Sequence, residues 1–423
     1  MRLALLAASA VALACTPPRN GSEFRLRIAL VGPLRDPAPD AEPSTSSYAQ
    51  EWVFESLLRT APDGSAIGGL AARFQFASPS RVVVELREGA RFSDGSAVTA
   101  DDIRQSLRES AFEVREQARE FVIESPAGDP VEPILRHNGI FKRVGDKAVG
   151  TGPFQVVSLD PERLLLRRSV PAPGKIAEVL LLGYPTSRDP FAHTLAGDAD
   201  LLIVDDPKKL EFFEGVSRLR VVRGHGANSI AVAVGRHRFD RAVRSAIAAA
   251  LPVANISRLV FGKECLPFPV NAGTASALPS KPLDVLVLQE DFQLAHTALA
   301  VTRALGQHGG EIRFISVPEA FRLLKSQDFD LLLLRPLVWP PSSAALVWGS
   351  NSPHNFSGYR NLNVDAALKA GDWARAMQEL REDPPVVFIC TPERLAVVDS
   401  RVKNPQVGPY GYLETLPEWE IAE

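Results

Sequence analysis

The chain has 423 residues, 45% of them hydrophobic and 23% charged, an ordinary balance for a soluble globular protein. A single core stops growing near about 250–300 residues, so two or three domains are expected. A formal net charge of −3 offers neither nucleic acid nor an anionic membrane surface a field to follow, and no nucleic-acid partner is expected.

The first fifteen residues read as targeting. Met1-Arg2 supplies a positive charge, Leu3 to Leu13 is apolar, and Ala14-Cys15 follows, the pattern of a secretory signal. The run falls short of the roughly 20 apolar residues that a membrane-spanning helix needs. Ala12-Leu13-Ala14-Cys15 resembles a bacterial lipobox, with Ala12 standing where leucine is usual. On that reading residues 1–15 are a lipoprotein signal, Cys15 is acylated, and 16–22 tether the protein to its membrane anchor. A plain signal cut near Ala14 is the alternative.

Phe24 to Val31 reads as a strand opening the first domain, and the apolar spacing from Tyr48 to Leu58 predicts a helix. Asp63-Gly64 is a turn. Val82 to Leu86 is a β-branched run predicted as a strand, and Asp94-Gly95 turns the chain. Thr99 then caps a helix, with Asp102 completing a capping box and meeting the positive end of the helix dipole.

The series Leu86, Arg87, Gly89, Phe92, Asp94, Gly95, Thr99, Ala100, Asp101 and Asp102 closely resembles the pattern of family 5 extracellular solute-binding proteins. These are the peptide- and nickel-binding components of ABC importers. None of the ten residues carries chemistry, so the motif points to a scaffold and leaves the ligand open. A second match is Gly150-Thr151-Gly152-Pro153-Phe154, suited to a tight bend before a strand at Gln155 to Leu159. It lacks the lysine and hydroxyl of a Walker loop and the third glycine of a dinucleotide fingerprint. The third match runs from Phe191 to Gly273 through Gly197, Asp200, Val243, Arg244, Ala246, Ile247, Phe261 and Gly262, with Pro252-Val253 where relatives commonly have Asp-Arg. The helix Arg241 to Leu251 within it is amphipathic, and packing explains it.

The resemblance implies an α/β, periplasmic-binding-protein-like fold of two α/β lobes with a hinge. Residues 23–47, 150–275 and 391–423 would form lobe 1, and 276–390 lobe 2. The interval from Leu107 to Gly150 is short for the family, so 48–149 would be a reduced accessory domain packed on lobe 1.

Lobe 2 is legible without the resemblance. Leu283–Leu288, Ile312–Ser316 and Phe329–Leu334 read as strands alternating with helices at Phe292–Leu305 and Pro318–Lys325, which predicts a parallel sheet with right-handed crossovers. Ligands in such sheets sit beyond the carboxyl ends of the strands, so the stretch from Arg335 to Pro341 is the expected binding wall. Helices are expected at Asp365 to Lys369 and Trp373 to Leu380, then a strand at Val386 to Cys390.

Peptide-binding members of the family typically carry a tryptophan in this loop and, soon after it, an acid that pairs with the peptide ammonium. Trp339 fits the aromatic position, yet Arg335 to Asn355 contains no Asp or Glu. An ammonium buried there without a counter-charge would be expensive, so a free N-terminal amine is not the expected anchor of the ligand. Trp339 and Trp348 offer aromatic faces and Arg335 a partner for an anionic group; core packing of Trp348 and a structural ion pair for Arg335 are the alternatives. Asn355 and Tyr359, in the polar stretch Ser350 to Asn361, are candidate hydrogen-bonding groups. By family analogy His225 and Asn228 lie near the cleft, and Tyr48 completes the candidate ligand-binding set.

An exported protein would allow Cys265 and Cys390 to pair, whereas the apolar run around Cys390 favours two buried thiols. No nucleophile elbow, H-E-x-x-H or C-x-x-C is present, and the seven histidines are scattered. Neither catalysis, a cofactor nor a metal site is expected. The expected function is a periplasmic or extracytoplasmic, membrane-anchored lipoprotein, monomeric, that delivers a solute to an ABC permease. The rival expectation is a degenerate homologue serving as a sensor or structural envelope lipoprotein.

Overall fold

The computed structural model describes residues 24–422 apart from short internal stretches, of which 268–276 and 337–342 are the longest. The signal-like run, Cys15 and the tether lie outside the described residues, as does Trp339.

A 12-stranded sheet runs through the molecule. Its first half is built on Arg25–Val31, flanked in parallel by Glu178–Tyr184 and Leu201–Val204. Its second half is built on Leu283–Leu288, flanked in parallel by Gly309–Ile315 and Leu331–Leu334. The runs LLIV at 201–204 and LLLL at 331–334 are apolar without alternation because helices and loops cover both faces of the sheet.

One strand joins the halves. The 14 residues of Val386–Asp399 pair antiparallel with Ile230–Val234 at their start and with Leu201–Val204 and Leu219–His225 at their end. The expected strand at Val386 to Cys390 is therefore the first third of a longer one that crosses between the lobes. Its far end is fixed by charge. Asp200, fully buried, accepts from Arg27 Nη2 at 2.7 Å and from Arg401 Nη2 at 2.8 Å, while its own carbonyl receives the Asp399 N–H at 2.7 Å.

The predicted elements of lobe 2 are present. Phe292–Leu305 is a helix capped by Asp291, whose carboxylate accepts the Leu294 N–H at 3.0 Å. Val317–Ser326 is capped by Ser316, with Pro318 in its first turn. Leu362–Lys369 and Trp373–Glu382 follow, divided at Gly371-Asp372.

The expectation of buried thiols is overturned, because Cys265 and Cys390 form a disulfide with Cα atoms 5.7 Å apart. The pairing follows from register. Cys265–Pro267 lies antiparallel on the crossing strand, with Cys265 opposite Pro392 and Pro267 opposite Cys390, so the two cysteines become diagonal neighbours. Sequence spacing carries no trace of that register.

The helix expected from Tyr48 to Leu58 is also corrected. The segment is a 3₁₀ turn at Thr45–Ala49, one α-turn at Gln50–Val53, and a strand from Leu58 to Thr60. Backbone pairing wins over the apolar spacing: Glu55 O accepts the Ile140 N–H at 2.8 Å and Leu57 O the Gly69 N–H at 3.0 Å. Gly150 explains why no side chain fits at the return to lobe 1. A Cβ there would lie 1.9 Å from Val53 O, so close approach of two chains, rather than a bend, demands the glycine.

The accessory region carries a four-stranded antiparallel sheet ordered Ala71–Ser78, Arg81–Leu86, Glu120–Glu124, Glu113–Gln117. The capping box forms: Thr99 Oγ1 accepts the Asp102 N–H at 3.3 Å, and Asp102 Oδ2 the Thr99 N–H at 2.9 Å. Asp94 accepts the Ser96 N–H at 3.0 Å and pairs with Lys142 at 2.6 Å, which pins the turn to the neighbouring hairpin. Arg87 donates to Glu55 at 2.8 Å. The apolar core of this region also takes in Leu346, from the lobe 2 helix Ser343–Trp348, so the region touches lobe 2 as well as lobe 1.

Candidate functional site

The carboxyl ends of both parallel strand sets and the midpoint of the crossing strand meet in a polar layer. Arg394, on the crossing strand, donates to Asn228 Oδ1 at 2.6 Å and to Gly408 O at 3.1 Å. Asn228, on the segment entering Ile230–Val234, donates in turn to Arg335 O at 3.3 Å. Arg335 follows the Leu331–Leu334 strand and donates to Asp291 Oδ2 and Oδ1 at 2.8 and 2.9 Å and to Gln293 Oε1 at 2.8 Å. Burial pushes the Asp291 carboxyl up, but Arg335 and the N–H groups of Leu294 and Gln293 outweigh it and hold it below the usual carboxylate range. Arg335 thus locks the end of one strand to the start of the helix that follows the neighbouring strand Leu283–Leu288, the structural ion pair weighed above.

The sequence-predicted residues separate into two groups. Arg335 and Asn228 lie in the polar layer. Tyr48, half-buried, packs beside the first core. His225 ends the Leu219–His225 strand, opposite Glu393 of the crossing strand.

Trp348, Tyr359 and Asn355 have structural work elsewhere. Trp348 is 4% exposed and meets Phe388 edge-on with ring centroids 6.4 Å apart, so its ring belongs to the lobe 2 core. Tyr359 is fully buried; its hydroxyl donates to Asp383 O at 2.9 Å and accepts from Asn361 at 3.0 Å, and burial pushes the phenol up to about 12. The Asn355 amide donates to Gly349 O and Tyr359 O at 3.1 and 2.8 Å and accepts from Ser357 at 2.9 Å, spending its groups on its own loop.

Sequence reasoning missed three charged residues. Glu51, on the turn Gln50–Val53, and Glu414, near the C-terminus, both face the loop at Gly408 and Gly411. Glu414 accepts the Gly411 N–H at 3.0 Å, and burial raises its carboxyl despite that bond and the nearby Arg394. Burial, then Glu414, pushes Glu51 up to about 7, with Arg394 opposing. No local pattern marks the pair, since they come together across most of the chain. Lys209, beyond the Leu201–Val204 strand, lies 5.2 Å from the centroid of the Phe191 ring and 4.0 Å from that of Phe292. Because Phe292 opens a lobe 2 helix, this cation–π contact spans the two lobes.

A cavity of about 40 Å³ lies elsewhere, between the accessory region and lobe 2, lined by Phe112, Ile134, Leu346, Asp365 and Lys369 among others. It has room for a few waters and no organic solute. Among the described residues no group of three or more His, Cys, Asp or Glu is placed to hold a metal ion.

No family model matches the sequence, and no curated protein matches it. Solved structures do resemble the fold. The nickel-binding NikA of Staphylococcus aureus, in complex with Ni(L-His)2, superposes with a TM-score of 0.75 at 15% identity, covering 94% of this chain and 100% of that one. The fold is that of the periplasmic solute-binding proteins. DppA of Helicobacter pylori in complex with the peptide STSA gives 0.77 at 12% identity, over 94% of this chain and 98% of that one. AgaA from A. tumefaciens R10, in complex with agropinic acid, gives 0.78 at 15% identity, over 94% and 99%. These neighbours are two-lobed binding proteins rather than enzymes, and their bound molecules are chemically unlike one another, so the scaffold does not dictate the ligand.

Proposed function

We propose that this protein is the substrate-binding lipoprotein of an ABC importer. It captures a small organic solute between its lobes and hands it to a membrane permease, with Cys15 as the acylated anchor and the lobes divided as in the sequence analysis. The observation that carries the reading is the polar layer at the carboxyl ends of the parallel strands, sited where one strand passes between two α/β halves. Ligands of open α/β sheets collect at such a place, and hinge closure around them is a common motion of two-lobed binding proteins. The neighbours' complexes with a peptide, a nickel chelate and agropinic acid support a solute of that size. A micromolar affinity needs only about 8 kcal/mol, within reach of one enclosed cleft without covalent chemistry.

Native mass spectrometry of the full chain purified from its own host tests the proposal, paired with small-angle scattering before and after the retained solute is removed. A non-covalent small-molecule adduct, with expansion once it is stripped, is the expected result. A bare protein whose dimensions no peptide, amino-acid conjugate or metal chelate alters would refute transport and favour a structural or sensory role.

A further inference from the structure

The loop between the strands Arg163–Arg168 and Glu178–Tyr184 carries apolar residues at its tip. Val170 is 75% exposed, Pro171 and Pro173 are exposed with it, and Val170 to Gly174 holds no polar side chain. Contiguous apolar surface left in water is where protein or membrane contacts form. The loop is stiff as well as apolar. Its prolines fix φ, Gly174 takes φ +73°, the Lys175 N–H reaches Ala172 O at 3.2 Å and the Ile421 N–H reaches Gly174 O at 3.3 Å.

The chain that precedes the first strand says what covers the tip. The carbonyl of Phe24, the first described residue, accepts the Ala177 N–H at 2.9 Å, at the foot of the loop. Residues 16–24 span at most about 30 Å fully extended, against roughly 55 Å for the diameter of a compact chain of 423 residues. A body anchored at Cys15 therefore turns the pole that bears Phe24 and the loop toward its membrane. This pole lies at the amino ends of the parallel strands, opposite the polar layer, so contact there leaves the cleft open.

Charge permits the approach. Arg25 and Arg167 share Glu178 at 2.8 and 3.1 Å, Lys175 pairs with Glu420 at 3.1 Å, and Arg168, near Glu418, donates to Ile176 O and Pro417 O, so these cations outnumber the carboxylates beside them. The exposed acids Asp160 and Glu162 lie at the other end of the hairpin. An anionic bilayer thus meets the basic end.

We infer that the loop Val170 to Gly174 inserts into the interface of the bilayer that holds the acyl chains of Cys15, and so sets how lobe 1 stands on the membrane. The inference rests on the lipoprotein reading and deepens it. An acyl anchor limits the distance of the body from the membrane but not its orientation; a second, apolar contact fixes both.

The test is fluorescence quenching of the full chain, purified from its own host and reconstituted in vesicles of phosphatidylglycerol and phosphatidylcholine with brominated acyl chains. Val170→Trp is compared with the native chain and with Val144→Trp, a position 53% exposed on the hairpin whose Arg143 pairs with Asp36, beyond the carboxyl end of Arg25–Val31. The mass of the N-terminal peptide establishes acylation in the same sample. The emission added by Val170→Trp is expected to fall at least about twofold relative to unbrominated vesicles, and that of Val144→Trp to stay unchanged. Should Val170→Trp melt early, Pro171→Trp takes its place. Absence of quenching at the loop in an acylated chain, or equal quenching at both positions, overturns the inference and leaves the lipoprotein reading intact. A dimer by light scattering, with the loop shielded from bromine, does the same in favour of a second copy. An unmodified Cys15 ends both.

Discussion

The Cys265–Cys390 bridge closes a loop of 125 residues that contains all of the stretch 276–390 assigned to lobe 2, while Ile230–Val234 and the helices up to Phe261, which share its core, lie outside the loop. Replacing both cysteines by alanine frees the unfolded chain of this constraint. Loop-closure entropy assigns a loop of that length about 5 kcal/mol, toward the upper end of what native disulfides contribute. Both residues are also buried, at 5% and 0% exposure, so loss of sulfur packing adds to the effect.

The size of the shift reports which unit unfolds. At about 2.1 cal/mol/K per residue, 5 kcal/mol corresponds to about 6 °C if the whole chain melts together and about 20 °C if lobe 2 melts alone. Differential scanning calorimetry of the native protein and the double alanine variant, each with and without reductant, separates these cases. Reductant is expected to lower the native melting temperature toward that of the variant, which has lost the sulfur packing as well, and to leave the variant unchanged. Identical melting of both proteins under oxidising conditions, or two free thiols by mass after blocking in denaturant, would refute the reasoning.

Two further outcomes follow from buried and surface charge. Asp200→Asn removes the carboxylate that holds Arg27 and Arg401 together at the end of the crossing strand; a loss of about 3–5 kcal/mol in chemical denaturation is expected, as for breaking a buried ion pair. Asp94 is held down to about 2 by Lys142 first and then by Ser96. Its folded value lies below the unfolded value of about 3.9, so its contribution is present above pH 4 and fades as pH falls toward 2. Asp94→Asn is expected to flatten the acid limb of a stability-against-pH curve over that window, its loss of stability being full at pH 7 and fading toward pH 2.

The sequence by itself determined whatever depends on neighbours along the chain. The strand, turn and capped helix from Arg81 to Ser106 form because β-branched residues, Asp94-Gly95 and the Thr99–Asp102 box all act within a few residues. The alternation in lobe 2 is legible for the same reason, each strand being a short apolar run and each helix opening on a capping residue. Arg335 is legible because strand ends are recognisable in such an alternation, and Asn228 only through the family resemblance. Tertiary structure decided what no local period encodes: the disulfide, set by strand register; the early end of the helix at Val53, set by backbone pairing with Ile140 and Gly69; and the burial of Trp348 and Tyr359, whose aromatic rings suit a cleft or a core equally until packing chooses. It also brought Glu51 beside Gly411 and Glu414, an arrangement invisible in sequence because a lone glutamate acquires its chemistry only from the groups that folding places around it.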